Sequence, residues 1–435
     1  MRRYKQVFHI GLIILVSLPL LTGCWDRLDP ENMAFVIAIG VDPGPQNDYL
    51  FTFALAVPKT PSGGSSGGGQ SSDGGPKKTI AVHTVEGSNI ASALRVSQSF
   101  IARRLTLIHS KAFILGEDMG RKGVMPLLSE AVRNREFRRT VNIITTRGKA
   151  ETYIQNILPT TEQDISLWFE LELDPNNIGD IIPNRARFHE FIVDIENMGA
   201  GAITILSAPR PDIKKGSVKL SSENDESDAE ASQPDVSKVY AGRLRRKGEV
   251  PVEFFGTAVY KSAVLEGFLS GSETRVLNML RGEFIRSSWD FRDPSNEKLM
   301  LSVNMRAEKQ CQIKVTRSGD EVTVSFHAAM EGELISVQTP VDYTLPESIE
   351  KLEQSIQSQL ENQSVELLNK TLRQWGTDCY RINNHVKSTF STWKEWEAFR
   401  WKDRIKDVHY EVETSFKLRG HGGQVGPAIE GDKMH

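Results

Sequence analysis

The chain has 435 residues, 39% of them hydrophobic and 25% charged, with a formal charge of −3. That length allows two or three domains, each able to bury a core, and the composition excludes a wholly disordered chain, a collagen-like repeat and a disulfide-dense mini-protein. Only one stretch, near the N-terminus, is apolar for long enough to suggest a membrane segment, so a polytopic membrane protein is excluded, and the acidic balance speaks against nucleic acid as a partner.

Arg2, Arg3 and Lys5 precede an apolar run over residues 7–21 that His9 and Pro19 interrupt. The run is short for a bilayer span and has the layout of a secretory signal. It ends in Leu21-Thr22-Gly23-Cys24, a bulky-polar-small-Cys order that resembles the bacterial lipoprotein box. The resemblance implies a signal peptide over residues 1–23, cleavage before Cys24, and acyl chains on the Cys24 thiol and its new amino group. An ordinary signal peptide followed by an incidental cysteine is the alternative. Without the leader, 50 basic side chains face 56 acidic ones, a charge near −6. Several acyl chains anchor durably where one is reversible. The mature chain is therefore expected on the extracytoplasmic face of a membrane, tied to the bilayer through Cys24.

The pattern over 33–41 predicts a strand, Pro43-Gly44-Pro45 a turn, and 49–57 the return strand. Residues 60–78 hold seven Gly and five Ser, the composition of a flexible loop inserted in a domain that runs over 24–208. A strand follows at 79–86, then a helix capped by Ser88 and running to about residue 103, a strand over 105–115, a helix over 118–134 and a strand over 141–145. Helices over 149–157, 162–172 and 184–197 precede a strand over 202–206. This alternation predicts an α/β layer with a mainly parallel or mixed sheet. Residues 221–230 are acidic and lack apolar anchors, so 209–249 reads as an acidic linker or insertion; a calcium loop would need the glycine and ligand spacing that are missing here.

The region 250–420 predicts a second α/β unit of one or two subdomains, with a strand over 253–260 and a helix over 271–281. Strands over 299–306, 310–317 and 321–331 follow, the last two joined at Ser318-Gly319. Thr344-Leu-Pro-Glu347 has the form of a capping box that opens a long helix with Ile349, Leu352, Ile356, Leu360, Leu367, Leu368, Leu372 and Trp375 on one stripe. A helix carrying Trp393, Trp396 and Phe399 precedes a final alternating strand over 408–418, and 421–435 reads as a flexible tail. The fold class expected is mixed α/β or α+β in two to three domains, each a β-sheet with packed helices. Cys311 and Cys379 remain as a potential pair, but spacing alone does not bring their Cα atoms within the roughly 7 Å a bridge needs. Cys311 alternates with Ile313 and Val315, which fits a buried free thiol.

The search for chemistry is largely negative. No His-Glu-x-x-His, Cys-x-x-Cys, phosphate-binding loop, dinucleotide glycine turn or Gly-x-Ser-x-Gly elbow occurs, and the nine histidines lack metal-ligand spacing. No cofactor or metal site is expected. Ser-x-x-Lys appears at Ser295/Lys298, Ser348/Lys351 and Ser391/Lys394, but the companion motifs of penicillin-binding enzymes are absent. Arg133, Arg135, Arg138 and Arg139 read as a solvated helix end whose cations complement the helix dipole, or as a contact for an anionic partner or head group. Trp393 and Trp396 read as core packing, or as a contact with lipid or a subunit.

Cys24-Trp-Asp26 followed by Met33-Ala-Phe-Val-Ile-Ala-Ile-Gly-Val-Asp42 resembles the start of the Ger(x)C lipoproteins, the C subunits of nutrient receptors in spore germination. Leu107-Ile-His-Ser-Lys-Ala-Phe-Ile-Leu-Gly116, the arginines 133–138, Gly256-Thr-Ala-Val-Tyr-Lys261, Gly267-Phe-Leu269, Glu273-Thr-Arg275 and the Trp393-Lys-Glu-Trp396 stretch are similar to further landmarks of that family, in the same order. The resemblance implies no enzyme activity. It implies a lipid-anchored subunit at the spore inner membrane, working with a membrane A subunit and a transporter-like B subunit. A lipid-anchored solute-binding protein of an importer is the alternative that size, export and α/β alternation leave open.

Overall fold

The computed structural model describes residues 29–57, 80–157, 162, 164–209, 239–244, 246 and 250–420, together with residues 3, 8 and 9. Cys24, the 60–78 segment, most of 209–249 and the 421–435 tail lie outside the described residues.

Strand β1 (Met33–Pro43) is apolar almost without alternation, the pattern of a strand covered on both faces. It forms the expected antiparallel hairpin with β2 (Tyr49–Ala56), which pairs in turn with β3 (Ile80–Gly87). The short β4 (Arg104–Thr106) lies parallel to the first three residues of β1, and β5 (Ala112–Gly116) lies parallel to its remainder. β6 (Asn142–Thr146) and β7 (Gly201–Pro209) extend the parallel centre. β8 (Val252–Lys261) and β9 (Val264–Leu269) then add antiparallel, giving the order β3-β2-β1-β5-β6-β7-β8-β9 with β4 on β1. The acidic segment thus lies between two paired strands, and the sheet begun in the first half of the chain is completed by residues of the second.

Helices α1 (Ile90–Ser97), α2 (Glu117–Lys122), α3 (Met125–Ala131), α4 (Ala150–Asn156), α5 (Ile165–Glu172), α6 (Pro175–Ile178) and α7 (Phe188–Glu196) join these strands. On one face Phe113, Leu115 and Ile143 pack with Met119, Leu127, Leu128, Phe188 and Phe191. On the other, Ile114 and Ile144 pack with Tyr153, Ile154, Trp168 and Phe169.

Helix α8 (Gly271–Leu280) leads to a second sheet of β10 (Arg286–Asp293), β11 (Asn296–Ser318), β12 (Glu321–Val337) and β13 (His409–Gly420), antiparallel except for the β12–β13 pair. Between β12 and β13 the chain crosses over through α9 (Pro346–Leu368), a π-helical segment (Asn369–Trp375), α10 (Ile382–Lys387), α11 (Trp393–Phe399) and α12 (Trp401–Arg404). One face of this sheet, with Trp289, Phe291, Val303, Met305, Val324 and Phe326, packs against Leu277, Leu352, Ile356 and Leu360. Burial alternates along β10, so the sheet's other face carries polar residues.

Several elements depart from expectation. Asn89, not Ser88, caps α1: its side chain accepts from Ser92 N–H and the Ser92 hydroxyl accepts from Asn89 N–H. That helix stops at Ser97, and the Gln98 side chain donates to the Ile101 and Arg103 carbonyls of the turn that follows. A turn closed by Ser110 N–H to Leu107 C=O divides the 105–115 strand, and Gly123, at φ 104°, divides the 118–134 helix. The strands expected at 299–306 and 310–317 are one strand with register shifts between 307 and 312. No capping box forms at Thr344–Glu347: Leu345 is extended before Pro346, and the Thr344 hydroxyl donates to Asp342 instead. β10 has no clear sequence signal, because Trp289 and Phe291 are its only large apolar residues.

Candidate functional site

Three places gather the residues that the sequence singles out. The first is the end of β1. Asp42 is 3% exposed and accepts hydrogen bonds from Ala150 and Glu151 N–H, both at 2.8 Å, which caps α4 from a distant strand. Burial raises its carboxyl above the ordinary aspartate value, and the two amides oppose that rise. Gly116 at the end of β5 must lack a side chain here, since a Cβ would stand 2.0 Å from Asp42 Oδ1. A Cβ on Gly40 would likewise meet Ile154 Cδ1 at 2.7 Å.

The second is the junction of the two sheets. Lys261 Nζ donates to the Trp375 carbonyl at 2.8 Å, and a Cβ on Gly267 would meet the Trp375 ring at 2.7 Å. Glu273 completes a capping box with Ser270 at the start of α8 and pairs with Lys370 at 2.7 Å. Gly201 N–H donates to Asp378 C=O at 2.7 Å, so residues 377–379 dock on the first strand residue of β7. The Asp378 carboxylate accepts from Tyr380, Ile382 and Asn383 N–H at 3.0, 3.0 and 2.7 Å. Burial pushes that carboxyl up to about 6 against these three bonds. Arg381 clasps Asp194 of α7 through two bonds of 2.9 and 3.1 Å. Arg281, almost fully buried, lies 3.1 Å from Glu283 and 3.9 Å from Asp194 and also donates to the Cys379 carbonyl. Asp180 is a further buried hub, bonded to Asn184 and to Ile285 and Arg286 N–H, and burial pushes its carboxyl up to about 6. Asp194 carried no sequence signal, because its partner Arg381 lies 187 residues away.

The third is the loop after α3. The arginines lie beyond the helix end, at Ala131, and not on it. Arg133, Arg135, Arg138 and Arg139 are exposed, and their side chains hold no ion pair among the described residues. Glu136 between them is committed elsewhere: it pairs with Arg104 at 3.2 Å and accepts from Leu107 N–H at 3.2 Å. Phe137 plants the loop in the core, with ring centroids 5.4 Å from Phe113 and 4.7 Å from Phe188.

The two tryptophans part company. Trp396 is 2% exposed and packs with Phe390 and Phe399, whereas Trp393 is 55% exposed, donates to Glu397 and lies under the Lys387 ammonium. Cys311 and Cys379 are both free thiols; Cys379 is buried and Cys311 half-buried, and burial pushes the Cys311 thiol up to about 12. Ser295 sits in the β10–β11 turn and donates to Asp293, and among the described residues no serine of the three Ser-x-x-Lys pairs is bonded to its lysine. No group of three or more His, Cys, Asp or Glu side chains among the described residues is placed to hold a metal ion, and no helix among them is long and apolar enough to cross a membrane.

Two family models match the chain. The spore germination protein N-terminal domain matches residues 26–208, and the spore germination B3/GerAC-like C-terminal model matches residues 255–422. The chain is similar to spore germination protein KC of Bacillus subtilis (strain 168), 22% identical over 418 residues and 95% of each chain. It is similar also to spore germination protein B3 of the same organism, 21% identical over 419 residues, 95% of this chain and 97% of the other. Among solved structures, the crystal structure of the GerBC protein aligns with a TM-score of 0.49 at 15% identity, covering 87% of this chain and 96% of that one.

Proposed function

The chain belongs to the GerAC-like family of spore germination proteins, and from that premise we propose that it is the lipid-anchored, non-catalytic subunit of a membrane germinant receptor. In this reading acylated Cys24 holds the mature chain at the extracytoplasmic face of the spore inner membrane, beside the A and B membrane subunits. The complex then couples nutrients to germination. The observation that carries the reading is the position of the N-terminal family match, which begins at Asp26, two residues after Cys24. A folded unit that follows its anchor so closely is held against neighbouring membrane proteins at high effective concentration. The domain organisation we propose is an N-terminal lobe over 24–208, the 209–249 insertion, and a C-terminal region over 250–420 whose first strands complete the N-terminal sheet.

Spores lacking the chain test this directly. The reading expects a lost or slowed response to at least one nutrient, restored by the wild-type chain and not by Cys24→Ala. Normal germination with every nutrient, together with lost uptake of a solute, would instead favour the importer reading.

A further inference from the structure

The end of the first sheet at which β1 begins combines exposed arginines with exposed apolar side chains. β4 pairs Arg104 with Met33, so the start of the fold and the segment 100–110 share one edge. The arginine loop joins them there, because Glu136 bonds both Arg104 and Leu107 N–H. The segments joined in this way carry Arg103, Arg133, Arg135, Arg138 and Arg139, all exposed and none with an ion pair among the described residues, on a mature chain whose overall charge is acidic. The acids of the same region are partly committed: Glu136 as above, and Glu130 to Ile90 and Ala91 N–H at the start of α1. Asp29 and Glu31 stand on the short turn before Met33. Two large apolar side chains are exposed on the adjoining turns, Phe100 at 58% and Ile108 at 40%. The buried Phe137 and the Asn134 side chain, which accepts from Glu136 N–H at 2.9 Å, fix the loop's course, so its cations are presented from a rigid frame.

The geometry points to this edge as a docking surface for an anionic bilayer, with Arg103, Arg133, Arg135, Arg138 and Arg139 on head groups and Phe100 and Ile108 entering the interface. This rests on the anchoring reading above and extends it from a tether to an orientation. Cys24 lies nine residues before Met33, a span of at most about 30 Å even when fully extended. Within that reach the edge nearest the anchor is the part of the molecule that meets lipid most often. Basic side chains near an anionic leaflet and apolar side chains at the head-group boundary are the two terms that bind peripheral proteins to membranes. Each arginine near the surface strengthens binding on the order of fivefold, less at high salt.

The test uses the mature chain, residues 24–435, made without its leader and with Cys24→Ser, so that acylation contributes nothing. Vesicles of phosphatidylcholine alone and of phosphatidylcholine with phosphatidylglycerol are the probes. Expected is sedimentation with the anionic vesicles only, weakened by salt. The Arg133→Gln, Arg135→Gln, Arg138→Gln, Arg139→Gln variant should bind at least about tenfold more weakly, with an unchanged melting temperature. A charge-matched control, Lys298→Gln, Lys351→Gln, Lys394→Gln, Lys402→Gln, should bind as the wild type does. Equal binding by the arginine variant, or no preference for anionic vesicles, overturns the proposal. If vesicles are ignored but the arginine variant is lost from the receptor complex in membrane extracts, the surface serves an acidic protein partner and the bilayer assignment is wrong. The vesicle assay contains no receptor subunits, so its failure leaves the receptor reading to be judged on germination alone.

Discussion

At Asp42 one carboxylate satisfies two amides of a helix that begins 108 residues later. Asp42→Ala leaves those amides unpaired next to the core and is expected to cost about 1–3 kcal/mol, read as a lower melting temperature. Gly116→Ala drives a methyl group into the same carboxylate, so its cost should shrink markedly in the Asp42→Ala background; additive costs in the double mutant would refute the contact. Asp378 gives a pH signature. Its carboxyl titrates near 6 in the fold against an ordinary 3.8, so the folded chain binds that proton more tightly than the unfolded chain does. The stability it brings is present at low pH and is lost as pH rises through about 6. Asp378→Asn cannot titrate, so the gap in stability between wild type and variant should narrow from pH 5 to pH 7. A gap that widens would mean that the three backbone donors outweigh burial. Asp42, Gly116 and Gly267 were legible in the sequence as landmarks of a family. What they do was not, because each acts on a partner far along the chain.

Elements with a dense apolar pattern are legible in the sequence, and those poor in apolar residues are not. The β1–β2 hairpin, β6, α4, α8 and β13 follow directly from runs or alternation of apolar residues. β4 and β10 are short of apolar residues and exist because a neighbouring strand supplies the hydrogen bonds. The turn that separates β4 from β5 lets one segment serve two positions along β1. In α11 the i, i+3 spacing of Trp393 and Trp396 suggested a common fate, but Trp393 is the first helical residue after the Thr392 cap and projects past the core. Trp396→Ala is therefore expected to cost about 3–5 kcal/mol, while Trp393→Ala should stay within about 0.5 kcal/mol; denaturant unfolding of the two variants separates them. Trp393 remains available to a partner, and a loss of complex without loss of stability in Trp393→Ala would reveal one.

The two sheets are joined by charge as well as by packing. Asp194 of the first lobe answers Arg381 and lies near Arg281 of the second, with Glu283 completing the group. Asp194→Ala leaves Arg281 buried with one acid fewer and is expected to cost about 3–5 kcal/mol, with the two lobes then unfolding in separate calorimetric steps in place of one. This junction was invisible in the sequence, since Asp194 and Arg381 stand 187 residues apart. The family and the mixed α/β class were visible, because ordered motifs and apolar periodicity are local. The composition change at 209–249 was visible too, but not that strands on both sides of it would pair. The measurement that bears most directly on the whole account is purification of the chain from detergent-solubilised spore membranes, wild type beside Cys24→Ala, with identification of the proteins that accompany it. A receptor subunit tethered at Cys24 should bring down polytopic A and B subunits in the wild-type form and lose them in the variant. Importer permeases in their place, or equal recovery of A and B subunits without the anchor, would contradict it.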